Sequence, residues 1–323
     1  MKKNVSGAIP LSVSLSGLHE RNRSYRQAPV NKRIFYLSIQ AVLNAVCIGF
    51  IAKGLVYLID LITNISFYGK FSFAPSSPAH NHLGWAVVLI PVAGSLIVGL
   101  LARFGSRSIT GHGIPEAMEK IISDDSRIPP TITFLKPLSA AISIGTGGPF
   151  GAEGPIIATG GAFGSLTGQL MHISSGERKI ILVAGACAGM SAIFGSPLAA
   201  VMLAIELLLF EFSPRSIIPV TAGCITGAVM HMFLFDSHPV FAMPNMPAIT
   251  GSALMIYIFI GLMTGVIAAG ISKSVYVIED LFEKLPVHWM WFPAIGAVSI
   301  GVTGYFVPNT MGVGYDNIRN LLS

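Results

Sequence analysis

Apolar runs long enough to cross a lipid bilayer recur along this chain, at 34–66, 84–104, 215–235, 251–284 and 290–307. A bilayer core takes about 20 apolar residues per helix and holds no water to satisfy a free backbone amide. Segments of this kind therefore fold as helices that satisfy their own backbone. Between them lie shorter apolar pieces at 114–123, 131–144, 155–172, 179–194 and 197–212, several of which fall short of a full span. The pattern predicts an all-α polytopic membrane protein in which some helices are tilted or cross only half the bilayer. Only 11% of residues are charged, against roughly 25% in soluble domains. The 35 glycines and 20 prolines are too many for straight spans and fit the broken helices of transporters.

Charge is unevenly placed. Residues 1–33 carry Lys2, Lys3, Arg21, Arg23, Arg26, Lys32 and Arg33 against one acid, Glu20. By the positive-inside tendency this segment is cytoplasmic. It lacks the apolar core and small-residue cleavage site of a signal peptide. A basic arm can also bind nucleic acid, but beside so many spans no nucleic-acid partner is expected. Cys47, Cys187 and Cys224 all lie inside apolar segments without metal-ligand spacing, so they read as small buried hydrophobes. No metal or cofactor is expected.

One carboxylate stands apart. Glu153 is the only acid between Asp125 and Glu177, and it sits in the break Gly145-Thr-Gly-Gly-Pro-Phe-Gly-Ala-Glu-Gly-Pro155. An ionisable group at membrane depth is costly and marks function by default. Gly154-Pro155 suits the first turn of a helix, and a helix N-terminus with free N–H groups attracts anions. A carboxylate there can occupy the site as a tethered anion, which reads as a gate in an anion pathway. The rival reading is an N-cap that merely stabilises its helix. Gly160, Gly164 and Gly168 then place a glycine strip on one helix face, suited to close helix packing.

The chain also resembles itself. Gly49-Phe-Ile-Ala-Lys-Gly54 matches Gly265-Val-Ile-Ala-Ala-Gly270, and Tyr57-Leu-Ile-Asp60 matches Tyr276-Val-Ile-Glu279 after a register slip. Gly94 and Gly99 match Gly296 and Gly301, and Gly111-x-Gly113 matches Gly312-x-Gly314, with the offset narrowing from 216 to 202 to 201 residues. Common order argues for duplication. Three segments are expected: a basic arm (1–33), a first membrane repeat (34–235) and an incomplete second repeat (236–323), whose last residue, Ser323, is the counterpart of Ile122.

Three motifs in order resemble the CLC family of chloride channels and chloride/proton exchangers. Gly111-His-Gly-Ile-Pro-Glu116 resembles its GSGIP segment, and Gly151-Ala-Glu-Gly-Pro155 resembles GREGP. Phe194-Gly-Ser-Pro-Leu-Ala-Ala-Val-Met-Leu-Ala-Ile-Glu206 resembles the stretch that usually begins F-N-A-P-L-A-G. The resemblance covers roughly residues 34–323. It implies an inverted-repeat α-helical fold and a homodimer in a bacterial inner membrane, with one pathway per subunit for chloride or a similar anion. It makes Glu153 the gating glutamate that competes with chloride and carries the exchanged proton. His112, Gly113 and Ile114, with the amides of Gly154, Ile156 and Ile157, would hold the anion.

The departures matter as well. His112 replaces a serine whose hydroxyl binds the central anion; an imidazole donates a hydrogen bond and becomes cationic near neutral pH. It could equally be a loop residue facing solvent. Lys136 lies 17 residues before Glu153, where it could supply positive potential or snorkel to the membrane interface. Ala152 replaces a common arginine. Leu207 stands where many exchangers place a second glutamate, which argues against standard proton coupling, and Glu206 reads as a structural carboxylate holding a neighbouring helix end. The family's GxFxP loop, its later anion-coordinating tyrosine and its CBS domains do not occur in this sequence.

The leading expectation is therefore an anion channel or weakly proton-coupled exchanger gated by Glu153. The alternatives are a permease for fluoride or nitrate and a non-transporting subunit that needs a partner for the second filter half. An enzyme is not expected: no Gly-Lys-Ser/Thr follows the glycine break, and neither Ser165 nor Ser196 lies in a Gly-x-Ser-x-Gly frame.

Overall fold

The structure is a computed structural model that describes residues 30–110, 113–123, 126–235, 240–241 and 251–322. Residues 1–29 of the basic arm, Gly111 and His112 lie outside the described residues. The described residues form helices and contain no strand. In chain order the α-helices are α1 (Val30–Tyr68), α2 (Leu89–Phe104), α3 (Ile114–Ser123), α4 (Pro130–Gly145), α5 (Glu153–Leu170) and α6 (Ser175–Phe194). They continue with α7 (Pro197–Leu203), α8 (Pro214–Leu234), α9 (Gly251–Glu283), α10 (Phe292–Phe306) and α11 (Tyr315–Leu322). Among the described residues, four helices are long and apolar enough to cross a membrane: Lys32–Tyr68, Gly84–Phe104, Pro214–Leu234 and Ala253–Glu283.

The apolar piece expected at 197–212 divides. After α7 the chain widens into a π-helical turn, Ala204–Leu209, and stops at Phe210, whose φ is +54°. A non-glycine residue in the left-handed region ends a helix abruptly.

Two compact units interleave along the chain. One is drawn from Met1–Leu55, Gly111–Pro137 and Glu153–Ser237. The other is drawn from Val56–Thr110, Leu138–Ala152 and His238–Ser323.

The first unit is built around α6, whose residues Ile181, Leu182, Val183, Ala186, Cys187 and Ala188 are fully buried. It packs chiefly against α5 and α8. At the centre of the α5–α6 contact backbone meets backbone. A Cβ added to Gly160 would strike the carbonyl oxygen of Gly185, and one added to Gly185 would strike that of Gly160. Glycine lets membrane helices approach backbone to backbone, where van der Waals contact replaces the missing hydrophobic drive. The glycine strip continues at Gly164 against Ile181 and at Gly168 against Arg178.

The second unit contains an internal two-fold. A Cβ on Gly99 in α2 would lie 2.6 Å from the carbonyl oxygen of Met290, in the 3-10 turn before α10. A Cβ on Gly301 in α10 would lie 2.6 Å from the carbonyl oxygen of Val88, in the 3-10 turn before α2. Gly99 pairs with Gly301, and Val88 with Met290, at one sequence offset of 202 residues. The start of each helix lies beside the later part of the other, so α2 and α10 run antiparallel. A two-fold that exchanges antiparallel helices is the signature of an inverted repeat. In the same unit α9 is bare of the other described residues over most of its length: residues 254–281 are exposed throughout, and Gly261, Gly265 and Gly270 have no neighbour within 4 Å of an added Cβ.

Candidate anion site

The first unit brings two helix N-termini together. Gly113, immediately before α3, is buried and has φ +65°, a conformation that glycine adopts without penalty. A Cβ there would lie 2.7 Å from the Cα of Gly154 and 2.9 Å from its carbonyl oxygen. The reverse contact is looser: a Cβ on Gly154 would come no nearer than 3.9 Å, to Gly113 Cα. The carbonyl of Gly113 accepts the first helical bond of α3 from Ala117 N at 3.0 Å. Glu153 is the first residue of α5 and is half-buried, while Ile156 and Ile157, where the helix's own i→i−4 bonding begins, are 0% and 1% exposed. First-turn amides have no acceptor within their own helix, and each N-terminus carries roughly half a positive charge. Two such ends meeting at a glycine pair make a place where negative charge is favoured, and Glu153 brings a carboxylate to it.

A second contact fixes how α3 lies on α5. Ser165, fully buried in α5, donates from Oγ to the carbonyl of Ser126 at 2.7 Å and accepts from Ile128 N at 3.0 Å. Gln169 adds bonds to Ser165 Oγ and the Ile128 carbonyl, both at 3.1 Å. Ser126 itself has φ +61°. Helix α3 is thus joined to α5 before its first residue, at Gly113–Gly154, and just after its last, at Ser126–Ser165. Along α5 these points are about 16 Å apart at 1.5 Å per residue, so the two helices run side by side in the same direction.

The other expected site residues fall as follows. Lys136 on α4 is buried, at 4% exposure. Ile114 is half-buried. Glu206, expected to hold a neighbouring helix end, is exposed and makes no hydrogen bond or ion pair among the described residues. Its π-helical turn carries the side chain outward while Leu208 and Leu209 take the core positions. His112 lies outside the described residues. A cavity of about 570 Å³ occurs in the other unit, lined by Asp60, His80, Asn309 and Arg319 among others, and contains none of the expected site residues.

The carboxylate that does hold helix ends together is Glu177. It is buried and accepts from Arg33 through Nε at 2.6 Å and Nη2 at 2.8 Å. Arg215 Nη2 stands 3.6 Å from the same Oε1. Glu177 also closes a capping box with Ser174 at the start of α6. The Arg33 hydrogen bonds bring its carboxyl down from 4.5 to about 2, against the opposing pull of burial and with help from Ser174. The spacing Ser174-Ser-Gly-Glu177 is the sequence signal for the cap; its pairing with Arg33, 144 positions away, has none.

The inverted repeat, the apolar spans and the paired helix N-termini define an all-α integral membrane protein. Comparison with known proteins narrows this. The family profile described as voltage gated chloride channel matches residues 93–323. The chain belongs to that family. Among its relatives, a putative chloride channel protein, ClcB-like, from Ralstonia nicotianae is 24% identical over 242 residues, covering 74% of this chain and 56% of that protein. The H(+)/Cl(-) exchange transporter ClcA of Salmonella paratyphi B is 27% identical over 251 residues, covering 74% of this chain and 52% of ClcA. The chain thus spans about half the length of these relatives. The crystal structure of a slow cyanobacterial Cl-/H+ antiporter shares the fold at a TM-score of 0.74 with 20% identity, covering 90% of this chain and 67% of that one. A CLC-type fluoride/proton antiporter does so at 0.71 with 18% identity, covering 91% and 70%.

Proposed function

We propose that this chain moves chloride, or a similar small anion, across a membrane as a channel or weakly proton-coupled exchanger gated by Glu153. The observation that carries the reading is the junction of Gly113 and Gly154, which sets the N-termini of α3 and α5 together beside the Glu153 carboxylate. The free amides of Gly113, Ile114 and Gly154, backed by the dipole of the α5 turn that carries Ile156 and Ile157, bind the anion by dipole and hydrogen bonding rather than by full charge. That leaves the ion weakly enough held to move on. Ionised Glu153 competes for the same donors; protonated, it is neutral and leaves them to the anion. Buried Lys136 adds positive potential to the pathway. Leu207, where a second glutamate would relay protons, supports weak coupling. The remaining parts of the reading are a homodimer in the bacterial inner membrane, a cytoplasmic N-terminus, and membrane segments that divide into a first repeat (34–235) and an incomplete second (236–323).

The test is chloride efflux from liposomes containing the purified chain, with external pH recorded together. The expected result is chloride flux that depends on pH, with few protons moved per chloride. Glu153→Gln is expected to make that flux insensitive to pH and free of proton movement. Unchanged pH dependence in that variant, or no flux from folded wild-type protein, overturns the reading. The fluoride/proton antiporter relative and the histidine at position 112 make fluoride the competing anion. His112→Ser in the same assay is expected to shift the chloride-to-fluoride preference or its pH dependence.

A further inference from the structure

The Glu177 cluster carries more positive charge than the fold uses. Arg33 and Arg215 both approach one carboxylate oxygen, at 2.6 Å and 3.6 Å, and their side chains remain 46% and 50% exposed. One carboxylate facing two guanidiniums leaves a net positive charge, and exposed Lys32 adds a second. Nearby, Lys179 lies over the Phe210 ring at 5.7 Å and is balanced by Glu211, so it does not cancel the excess.

The place is as informative as the charge. Arg33 and Arg215 stand at the first residues of two candidate spans, Lys32–Tyr68 and Pro214–Leu234. That is the level at which a membrane helix leaves the hydrocarbon and meets the headgroups. Within three residues of these arginines the chain exposes large apolar side chains: Phe35 at 68%, Tyr36 at 39% and Phe212 at 80%. Arg33 also lies over the Tyr36 ring, 5.4 Å from its centre.

We propose that Arg33 and Arg215 form a binding site for an anionic phospholipid, with its phosphate between the two guanidiniums and its acyl chains against Phe35, Tyr36 and Phe212. Arginine suits this task because its planar fork meets a phosphate through two parallel hydrogen bonds. Basic pockets between membrane helices recognise anionic headgroups on the same principle. A zwitterionic lipid presents the same phosphate but brings its own cation, which the excess positive charge disfavours. Glu177 keeps Arg33 fixed from within, so the lipid meets a preorganised donor.

The experiment is retention of lipid by the intact purified chain in detergent, read by native mass spectrometry with equal amounts of phosphatidylglycerol and phosphatidylcholine. Wild type is expected to retain phosphatidylglycerol about fivefold better, as one additional basic residue near the surface provides. Arg215→Gln leaves the Arg33–Glu177 pair and the capping box in place and is expected to erase the preference. Arg215→Lys is expected to keep most of it, which separates loss of charge from loss of fold. Millimolar inorganic phosphate is expected not to displace the lipid; displacement would show a free-phosphate site and overturn the assignment. Equal retention of both lipids by wild type, or an undiminished preference in Arg215→Gln, overturns it as well.

Discussion

Ser165 Oγ donates to the carbonyl oxygen of Ser126 at 2.7 Å, and that one bond closes the far end of the α3–α5 pair whose near end is the proposed anion site. Ser165→Ala removes it and strands the Ile128 amide and the Ser126 carbonyl in a buried place. The expected cost is about 1–3 kcal/mol, read as a lowered thermal midpoint in detergent. Because the far end of α3 then keeps the Gln169–Ile128 bond but loses both bonds to Ser165, chloride affinity measured by calorimetry is expected to fall although Ser165 is some 16 Å along α5 from the anion. A lowered midpoint with unchanged affinity would confine Ser165 to stability.

The glycine pair at the site is predicted to be unequal. Gly113→Ala places a methyl 2.7 Å from backbone atoms that cannot rotate away, at a φ of +65°. Liposome chloride flux is expected to be lost. Gly154→Ala meets nothing nearer than 3.9 Å and is expected to retain flux within a few-fold. Equal effects of the two changes would mean that the junction does not set the site.

Acid should act through Glu177. Its folded carboxyl titrates near 2 rather than 4.5, so its contribution is complete above about 4.5 and is lost as the pH falls towards 2. With Arg33 half-exposed, that contribution is about 1–2 kcal/mol after screening. The thermal midpoint is expected to drop across this window, and Glu177→Gln is expected to start lower and flatten the drop. An equally steep drop in the variant would assign acid sensitivity to other carboxylates.

The α2–α10 two-fold makes a paired prediction. Gly99→Ala and Gly301→Ala each push a methyl against a backbone carbonyl at 2.6 Å, and overpacking of this kind costs about 1–3 kcal/mol. The two losses are expected to be similar, while Gly265→Ala, with nothing within 4 Å, is expected to cost nothing in thermal midpoint. A large difference between Gly99 and Gly301 would count against the symmetry.

Periodicity and apolar run length were enough to place most helices. The run 34–66 became Val30–Tyr68, 251–284 became Gly251–Glu283, and 290–307 became a 3-10 turn with Phe292–Phe306. Glu153 was legible as special because an acid isolated in apolar sequence stands out. Three features were not legible, for different reasons. Phe210 ends its helix through a backbone conformation that its residue type does not advertise. Ser165 looks like any small residue on a glycine strip until Ser126 is folded against it. Glu206 and Glu177 look alike in sequence, and the arrival of Arg33 across 144 positions is what makes Glu177 a tie between helix ends.

The contact between α2 and α10 uses the same pair of positions twice, Gly99 with Met290 and Gly301 with Val88. Such an interface is self-complementary, as between two copies of one subunit. A gene encoding a single repeat could have formed it only if its product entered the bilayer in both orientations. Once the copies are joined end to end, one orientation is fixed for each. The two glycines, formerly one codon felt at both places, are then free to change separately.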